Sequence, residues 1–301
     1  MKKTLAMMTA AVMVAGALAG CGSSSSTPAA TTAAATEAAT TAAATEAAIT
    51  ETATTEAGDT AAAAEGTVKT PSGKFTVGFD QEFPPMGFVG DDGQFTGFDL
   101  DLAKEVASRL GLEFVPQPIN WDAKDMELDS GNIDCIWNGF TMQGREDDYT
   151  WVGPYMANNQ VFVVTADSDI ASKADLAGKA VEVQKDSSGL AALQGEAELS
   201  ASFGSMTEVA DYNTALMDLE SGACDAVCMD SIVAGYQIKS SGKDMKILDD
   251  TLSAEEYGIG FKKGEDELAK AVHDTLMAMK DDGTVAKISN DWFGSDVFTL
   301  K

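Results

Sequence analysis

The chain contains one histidine, His273, and four cysteines, Cys21, Cys135, Cys224 and Cys228, which together leave little material for nucleophilic or metal chemistry. A single His excludes any multi-His metal site and most acid–base chemistry near neutral pH. His273 shares a helical apolar pattern with Leu268, Val272 and Leu276, far along the chain from every thiol, so a Cys–His nucleophile is not credible. With Cys21 set aside as a lipid attachment point, three cysteines remain, an odd number. Cys224 and Cys228 lie four apart on one expected strand, too far for a disulfide. All three are expected to be buried free thiols. The acidic pairs Asp91-Asp92, Asp147-Asp148 and Asp281-Asp282 lack the calcium-loop pattern and read as turns. No cofactor motif or metal-ligand spacing is present. The formal charge of −28 over 301 residues argues against a nucleic-acid partner, which demands clustered Lys and Arg.

Every Phe, Trp and Tyr lies at or beyond Phe75, so the first quarter is a different polymer from the rest. Residues 1–20 combine a basic start, Met1-Lys2-Lys3, with a short apolar run, and read as a secretory signal. Leu18-Ala19-Gly20-Cys21 resembles the bacterial lipobox, in which Cys21 becomes the first mature residue and carries lipid. A diacyl anchor holds a protein on a membrane without a spanning helix. From Thr27 to Glu65, 30 of 39 residues are Ala or Thr, so 21–71 reads as a lipidated cysteine followed by a disordered tether. The charge is not in that tether. Residues 72–301 hold 42 acidic and 17 basic side chains, which favours solubility and says little about fold.

Beyond residue 72 short strands alternate with helices, the pattern of an α/β protein with mainly parallel sheets. Strands are expected at Lys74–Phe79, Leu112–Val115, Ile133–Trp137, Gln160–Thr165, Lys179–Gln184, Asp225–Met229, Lys246–Leu248 and Tyr257–Phe261. Helices are expected from an Asp99 cap to Gly111, and at Asp122–Ser130, Ser188–Glu198, Asn213–Ser221, Ser231–Lys239, Glu265–Lys280 and Thr284–Trp292. One internal echo matters. Leu128-Asp-Ser-Gly-Asn-Ile-Asp134-Cys-Ile matches Leu219-Glu-Ser-Gly-Ala-Cys-Asp225-Ala-Val. Each is a helix end, a glycine stop and an Asp opening a buried strand. Two such units would aim their strand ends at a shared cleft.

The ordered set Phe75–Asp80, Pro84-Pro85-Met86, Gly97-Phe98-Asp99-Leu-Asp101-Leu-Ala103, Ser130–Asp134, Asn138–Thr141, Arg145, Trp151, Pro154-Tyr155, Gly178-Lys179, Gln184, Ser187-Ser188-Gly189, Ala226–Asp230 and Gly258-Ile-Gly260-Phe resembles the polar-amino-acid solute-binding proteins of bacterial ABC importers. The resemblance runs over about 225 residues. It implies a two-lobed type II periplasmic-binding-protein fold with a mainly parallel sheet in each lobe and a two-strand hinge. Lobe 1 would be 72–163 plus 257–301 and lobe 2 would be 164–256, joined near Val163–Thr165 and Glu255–Tyr257.

The implied ligand is a free amino acid, a zwitterion that needs one fixed cation and one fixed anion. Arg145 matches the family's carboxylate-binding arginine, although the Thr141-to-Arg145 loop is one residue shorter than in many relatives. Asp230 matches the acid that holds the α-ammonium group. Ser187 and Ser188 open a helix whose N–H groups would face the carboxylate, and Thr141 and Gly139 match further polar contacts. Phe83 would cover the side chain, with Trp121 and Phe140 as walls, Asn138 following the strand, and Asp80 at the cleft mouth. The resemblance implies a monomer, lipid-anchored on the extracytoplasmic face of the cell membrane and serving an ABC permease. Two other classes share the pattern: a dehydratase-like enzyme acting on a small carboxylate, and a ligand-sensing domain working with a membrane partner.

Overall fold

The computed structural model describes Thr70 and residues 72–301. The expected signal peptide, Cys21 and the Ala/Thr tether lie outside the described residues.

Strand β1 (Lys74–Phe79) leads into three short strands, β2 (Glu82–Phe83), β3 (Gly87–Val89) and β4 (Phe95–Thr96), then helix α1 (Phe98–Leu110). The chain continues through β5 (Glu113–Pro118), α2 (Lys124–Asp129), β6 (Cys135–Thr141) and the long β7 (Tyr149–Thr165). Next come β8 (Ala180–Gln184), α3 (Ser188–Gly195), α4 (Ala197–Ser202), β9 (Ser205–Val209), α5 (Tyr212–Ser221), β10 (Ala226–Asp230) and α6 (Ser231–Ser241). The last elements are the long β11 (Met245–Lys262), α7 (Asp266–Asp281) and α8 (Thr284–Phe293).

Eight strands form one sheet in the order β5-β1-β6-β11-β7-β10-β8-β9, and β2-β3-β4 form a small antiparallel sheet. The flanks are parallel: β1 with β5 and β6, and β8 with β9 and β10. The centre is antiparallel, β11 pairing with β6 and β7, and β7 with β10. Parallel order therefore holds in the flanks and gives way where the two long strands run through the middle. The apolar core includes Phe75, Val77, Phe98, Val106, Trp137, Val272 and Leu276, all fully buried, and a second cluster packs Phe162, Val181, Val183, Leu193 and Ala226.

Several elements differ from expectation for identifiable reasons. The two strands expected at Lys246–Leu248 and Tyr257–Phe261 are parts of a single β11, because Asp249–Glu256 stays extended against β7 through several register shifts. The helix expected over Ser188–Glu198 breaks at Glu196, which leaves helical geometry before α4 begins. Asp99 does not cap α1. Gly97 occupies the cap without any side-chain bond, and Asp99 sits inside the first turn, fully buried. Strand β9, with four of its five residues exposed, carries no apolar alternation that could reveal it.

The internal echo has a physical role. Gly131 and Gly222 both take left-handed φ values, 74° and 76°, which is what glycine supplies at a helix stop. Three residues later, Asp134 Oδ2 accepts the Thr76 N–H at 2.6 Å while its own N–H donates to Thr76 O at 2.8 Å. Asp225 does the same with Ala180, at 2.8 Å in both bonds. Each aspartate clamps the start of its strand to a parallel neighbour. Replacing Asp134 by Ala should lower the unfolding free energy by about 1–3 kcal/mol, since an amide N–H then loses a charged acceptor. Urea denaturation measures this, with the exposed Asp91→Ala as a control expected within about 0.5 kcal/mol of the parent.

Candidate functional site

β6 and β10 end at the same place, and residues from both ends line a narrow, nearly filled pocket with room for about 10 Å³. Its walls are Phe83, Trp121, Gly139, Thr141 and Arg145 together with Gln184, Ser187, Ser188 and Asp230. The sequence reasoning named all of these as site residues except Gln184. Three other expected residues stand just outside. Phe140 is fully buried behind the wall, edge-on to Trp121 at 5.6 Å between ring centroids and beneath the Arg145 guanidinium at 5.1 Å. Asn138 supports the site from behind, its Oδ1 accepting the Asp80 N–H at 3.0 Å. Asp80 lines the larger open groove beside the pocket and accepts from Gln184 Nε2 at 2.7 Å, which links groove and pocket. Burial, with Asp211 and Glu82 nearby, pushes the Asp80 carboxyl up to about 6.

Arg145 makes no ion pair among the described residues. One guanidinium nitrogen donates to Thr141 O at 3.2 Å and another to Asp186 O at 3.4 Å. Both partners are neutral carbonyls, so the positive charge remains uncompensated and free to take a planar anion in its fork. On the far side Ser187 caps α3, its Oγ accepting the Leu190 N–H at 3.1 Å. The adjacent Ser188 Oγ accepts from Thr141 Oγ1 at 3.2 Å. An anion held by Arg145 would also meet the N-terminus of this helix.

Asp230 stands at the N-cap position of α6 without bonding the helix, so its carboxylate is free for other use. It accepts from Asn158 Nδ2 at 2.6 Å, Tyr257 OH at 2.8 Å and Tyr212 OH at 3.2 Å. Burial and the neighbouring Glu255 carboxylate push it well above the ordinary carboxylate range. Glu255 was expected only as a hinge residue. It is buried and accepts from Asn158 Nδ2 at 2.6 Å and Gln160 Nε2 at 2.8 Å. Asn158, Gln160 and Glu255 were missed as site residues because each stands beside another polar residue within a strand, Asn159 or Glu256, a pattern that does not distinguish a cleft from an exposed strand face.

Several side chains tie the two sides of the pocket together. Lys124, only 2 % exposed, reaches Asp186, and its Nζ lies 5.4 Å from the Trp121 ring. Lys185 Nζ meets Asp122 Oδ2 at 2.6 Å, and Asn213 reaches Glu82. Cys135, Cys224 and Cys228 are buried free thiols whose ionisation burial pushes up, and none lines the pocket.

Gly139 shows how the site depends on the layer beneath it. Its φ of +58° suits glycine, and a Cβ there would lie 2.9 Å from the Phe83 ring and 3.1 Å from Tyr257. Its N–H donates to the buried Asp99 Oδ2 at 2.7 Å, and Tyr155 OH donates to the same oxygen at 2.8 Å. Burial lifts the Asp99 carboxyl to about 7. An acid whose pKa is raised by folding contributes stability at low pH and loses it as pH rises through the folded value. The parent protein's stability relative to Asp99→Asn should therefore decline between about pH 4 and pH 7, which paired denaturation curves at each pH would measure.

The chain belongs to the bacterial extracellular solute-binding proteins, family 3, matched over residues 75–295. Its fold is that of the type II periplasmic binding proteins. Among curated relatives, the L-cystine-binding protein TcyJ of Escherichia coli strain K12 is 32% identical over 231 residues, covering 75% of this chain and 84% of that one. A crystal structure of an ABC uptake transporter substrate binding protein from Streptococcus pneumoniae with bound histidine superposes with a TM-score of 0.73 at 34% identity, covering 76% of this chain and 95% of that one. The ancestral amino acid-binding protein AncCDT-1, a precursor of cyclohexadienyl dehydratase, superposes at 0.67 with 31% identity, covering 74% and 96%. Among the described residues no helix is long and apolar enough to cross a membrane.

Proposed function

We propose that this protein captures a free amino acid between two lobes and delivers it to an ABC importer. The observation that carries this reading is the pairing of Arg145, a cation without an ion pair, with the buried carboxyl group of Asp230 across one pocket. A zwitterion satisfies both. Its carboxylate takes the guanidinium fork and the α3 N-terminus, and its ammonium takes Asp230. The relatives' names support the class, since one binds L-cystine and another was solved with histidine.

In this reading lobe 1 runs from 72 to the outgoing crossing on β7 and again over 257–301, lobe 2 lies between the two crossings, and they close about the central strands. We place the outgoing crossing at Asn158–Gln160, a few residues before Val163–Thr165, because β7 pairs with β10 from Gln160 onward. The return crossing near Glu255–Tyr257 lies opposite Met156–Asn158. Hinge closure around a ligand is a common device for such pairs of lobes. The protein works as a monomer on the extracytoplasmic face, and lipid on Cys21 holds it at the membrane. It turns nothing over: the similar proteins are named as binding proteins, including the ancestor of a dehydratase.

Thermal-shift screening of the twenty amino acids, cystine and ornithine tests the class. A ligand at 100 times its dissociation constant should stabilise the protein by about 2.7 kcal/mol. Calorimetry on Arg145→Ala should show binding weakened by about 2–5 kcal/mol, the usual loss when one partner of a buried charged contact is removed. Binding at parental strength would take Arg145 out of the site. In a bacterial host, Cys21→Ser should leave the protein unlipidated and released from membrane pellets; pellet association equal to that of the parent would end the anchor reading.

A further inference from the structure

Two carboxylates, not one, stand at one end of the pocket: Asp230 lines it, and Glu255 lies beside Asp230. Asn158 Nδ2 donates to Asp230 Oδ1 and to Glu255 Oε1, at 2.6 Å each, so a single amide nitrogen holds the two acids side by side. Every other donor to them is neutral. Asp230 has Tyr257 OH from β11 and Tyr212 OH from α5; Glu255 has Gln160 Nε2 from β7 and Ser188 Oγ from α3 at 3.4 Å. No ion pair among the described residues includes either acid. Both are buried, at 3 % and 5 % exposure. Two ionised carboxylates this close, without a cation and away from water, repel each other strongly, and such pairs retain a proton between them.

The groups packed around them leave the pair as the site of titration. Tyr212 and Tyr257 face it from α5 and β11, Cys228 from β10, and Tyr155 lies behind Tyr257. Burial holds all four well above their ordinary values, helped by the two acids at Tyr212, Tyr257 and Cys228 and by Asp99 at Tyr155, so they stay neutral across the physiological range. Asn158, Gln160 and Ser188 do not titrate. The one cation lining the pocket, Arg145, turns its hydrogen bonds to Thr141 O and Asp186 O.

We propose that Glu255 works with Asp230 as a proton-sharing carboxyl pair, so that the pocket takes in a ligand ammonium group in exchange for a proton. The proposal rests on the amino-acid reading of the same pocket. An ammonium group brings a positive charge and N–H donors to the position the shared proton serves, and so competes with it. The step involves no bond to carbon and no electron transfer: the ligand keeps its three ammonium hydrogens, and the proton leaves the pair for solvent. Because bound ammonium favours the ionised pair, affinity rises with pH through the range in which the free pair loses its proton, by at most tenfold per pH unit for one proton exchanged. Glu255 thereby becomes a residue that selects for a primary ammonium group.

Calorimetry with the mature protein between pH 6 and 8.5, in two buffers of different ionisation enthalpy, counts the protons released. The probes are L-cystine, L-arginine and L-glutamine. The parent should release a fraction of a proton that varies with pH, and its affinity should rise across the range. Glu255→Gln keeps the size and hydrogen-bonding reach of the side chain; it should still bind, with proton release and pH slope both reduced to near zero. Asp230→Asn should lose the release as well. Carboxyl-carbon NMR of the ligand-free parent gives a reading that does not depend on a variant folding. The Asp230 carboxyl should titrate above the ordinary acidic range. Binding without proton release, equal release in Glu255→Gln, or an Asp230 carboxyl that titrates in the acidic range would each overturn the exchange while leaving amino-acid capture intact. Absence of a thermal shift across the whole panel of amino acids, cystine and ornithine would instead remove the amino-acid reading, and the exchange with it.

Discussion

The pocket depends on one antiparallel ribbon. Strands β7 and β11, 17 and 18 residues long, pair along nearly their whole length and together join the two parallel flanks of the large sheet, β11 meeting one through β6 and β7 the other through β10. A backbone ladder cannot be broken inside a protein without leaving N–H and C=O groups unpaired, so the ribbon has to stay continuous between the flanks. It bends instead. The register shifts between Ile247 and Thr251, between Thr251 and Ser253, and between Tyr257 and Ile259 are where one strand carries extra residues against the other. Bulges of this kind increase local twist and re-aim side chains. Glu255, Tyr257, Asn158 and Gln160, which are bonded together around Asp230 behind the pocket, all lie between or beside these shifts.

That placement explains what could be read from the sequence and what could not. The wall residues were legible because they follow strong signals: Asn138 to Thr141 end an apolar strand, Asp230 ends another, and Ser187 precedes a helix. The echoed Gly131…Asp134 and Gly222…Asp225 was legible as a repeat, and its purpose became clear once both aspartates were found clamping a neighbouring strand. The layer behind the pocket was hidden. Asn158, Gln160 and Glu255 are polar residues in the middle of strands, where a two-residue period gives no clue as to whether a face meets water or another chain segment. The run Asp249-Asp250-Thr251 fell between the two expected strands Lys246–Leu248 and Tyr257–Phe261, with no apolar alternation to join them. Only its pairing with β7 keeps it in β11. Asp99 misled for the opposite reason. Acidic residues near helix starts are commonly caps, whereas this one is a buried acceptor for Gly139.

The net charge of −28 and the charges of the site obey different physics. Surface carboxylates are separated by water and salt, and at physiological ionic strength interactions beyond about 8 Å are largely screened. Their sum sets solubility and repulsion from acidic surfaces. The buried acids Asp80, Asp99, Asp230 and Glu255 are not screened, and no ion pair among the described residues includes any of them. Each is held by hydrogen bonds alone. Desolvation is the largest cause of the upward shift at Asp80, Asp99 and Asp230, so these acids respond to whatever positive charge approaches them.

Closure links these effects. The contacts that draw the sides together, Lys124 with Asp186, Lys185 with Asp122 and Gln184 with Asp80, surround the pocket without entering its charge balance. Two of the three are charged pairs with one partner at least half exposed, the kind that contributes little on its own. They position the walls, but they cannot supply much of the driving force. The stronger attraction is inside, where a fixed cation and a carboxyl pair lacking any cation of its own sit in a site from which water is mostly excluded. There an interaction between charges is several times stronger than at the surface. A ligand with both signs of charge, spaced to reach Arg145 and Asp230 together, gains from that environment only when the walls meet. A ligand with one sign alone leaves a buried charge uncompensated, and closing over it carries a desolvation cost. Selection for a zwitterion and the tendency to close over it are therefore two consequences of the same burial.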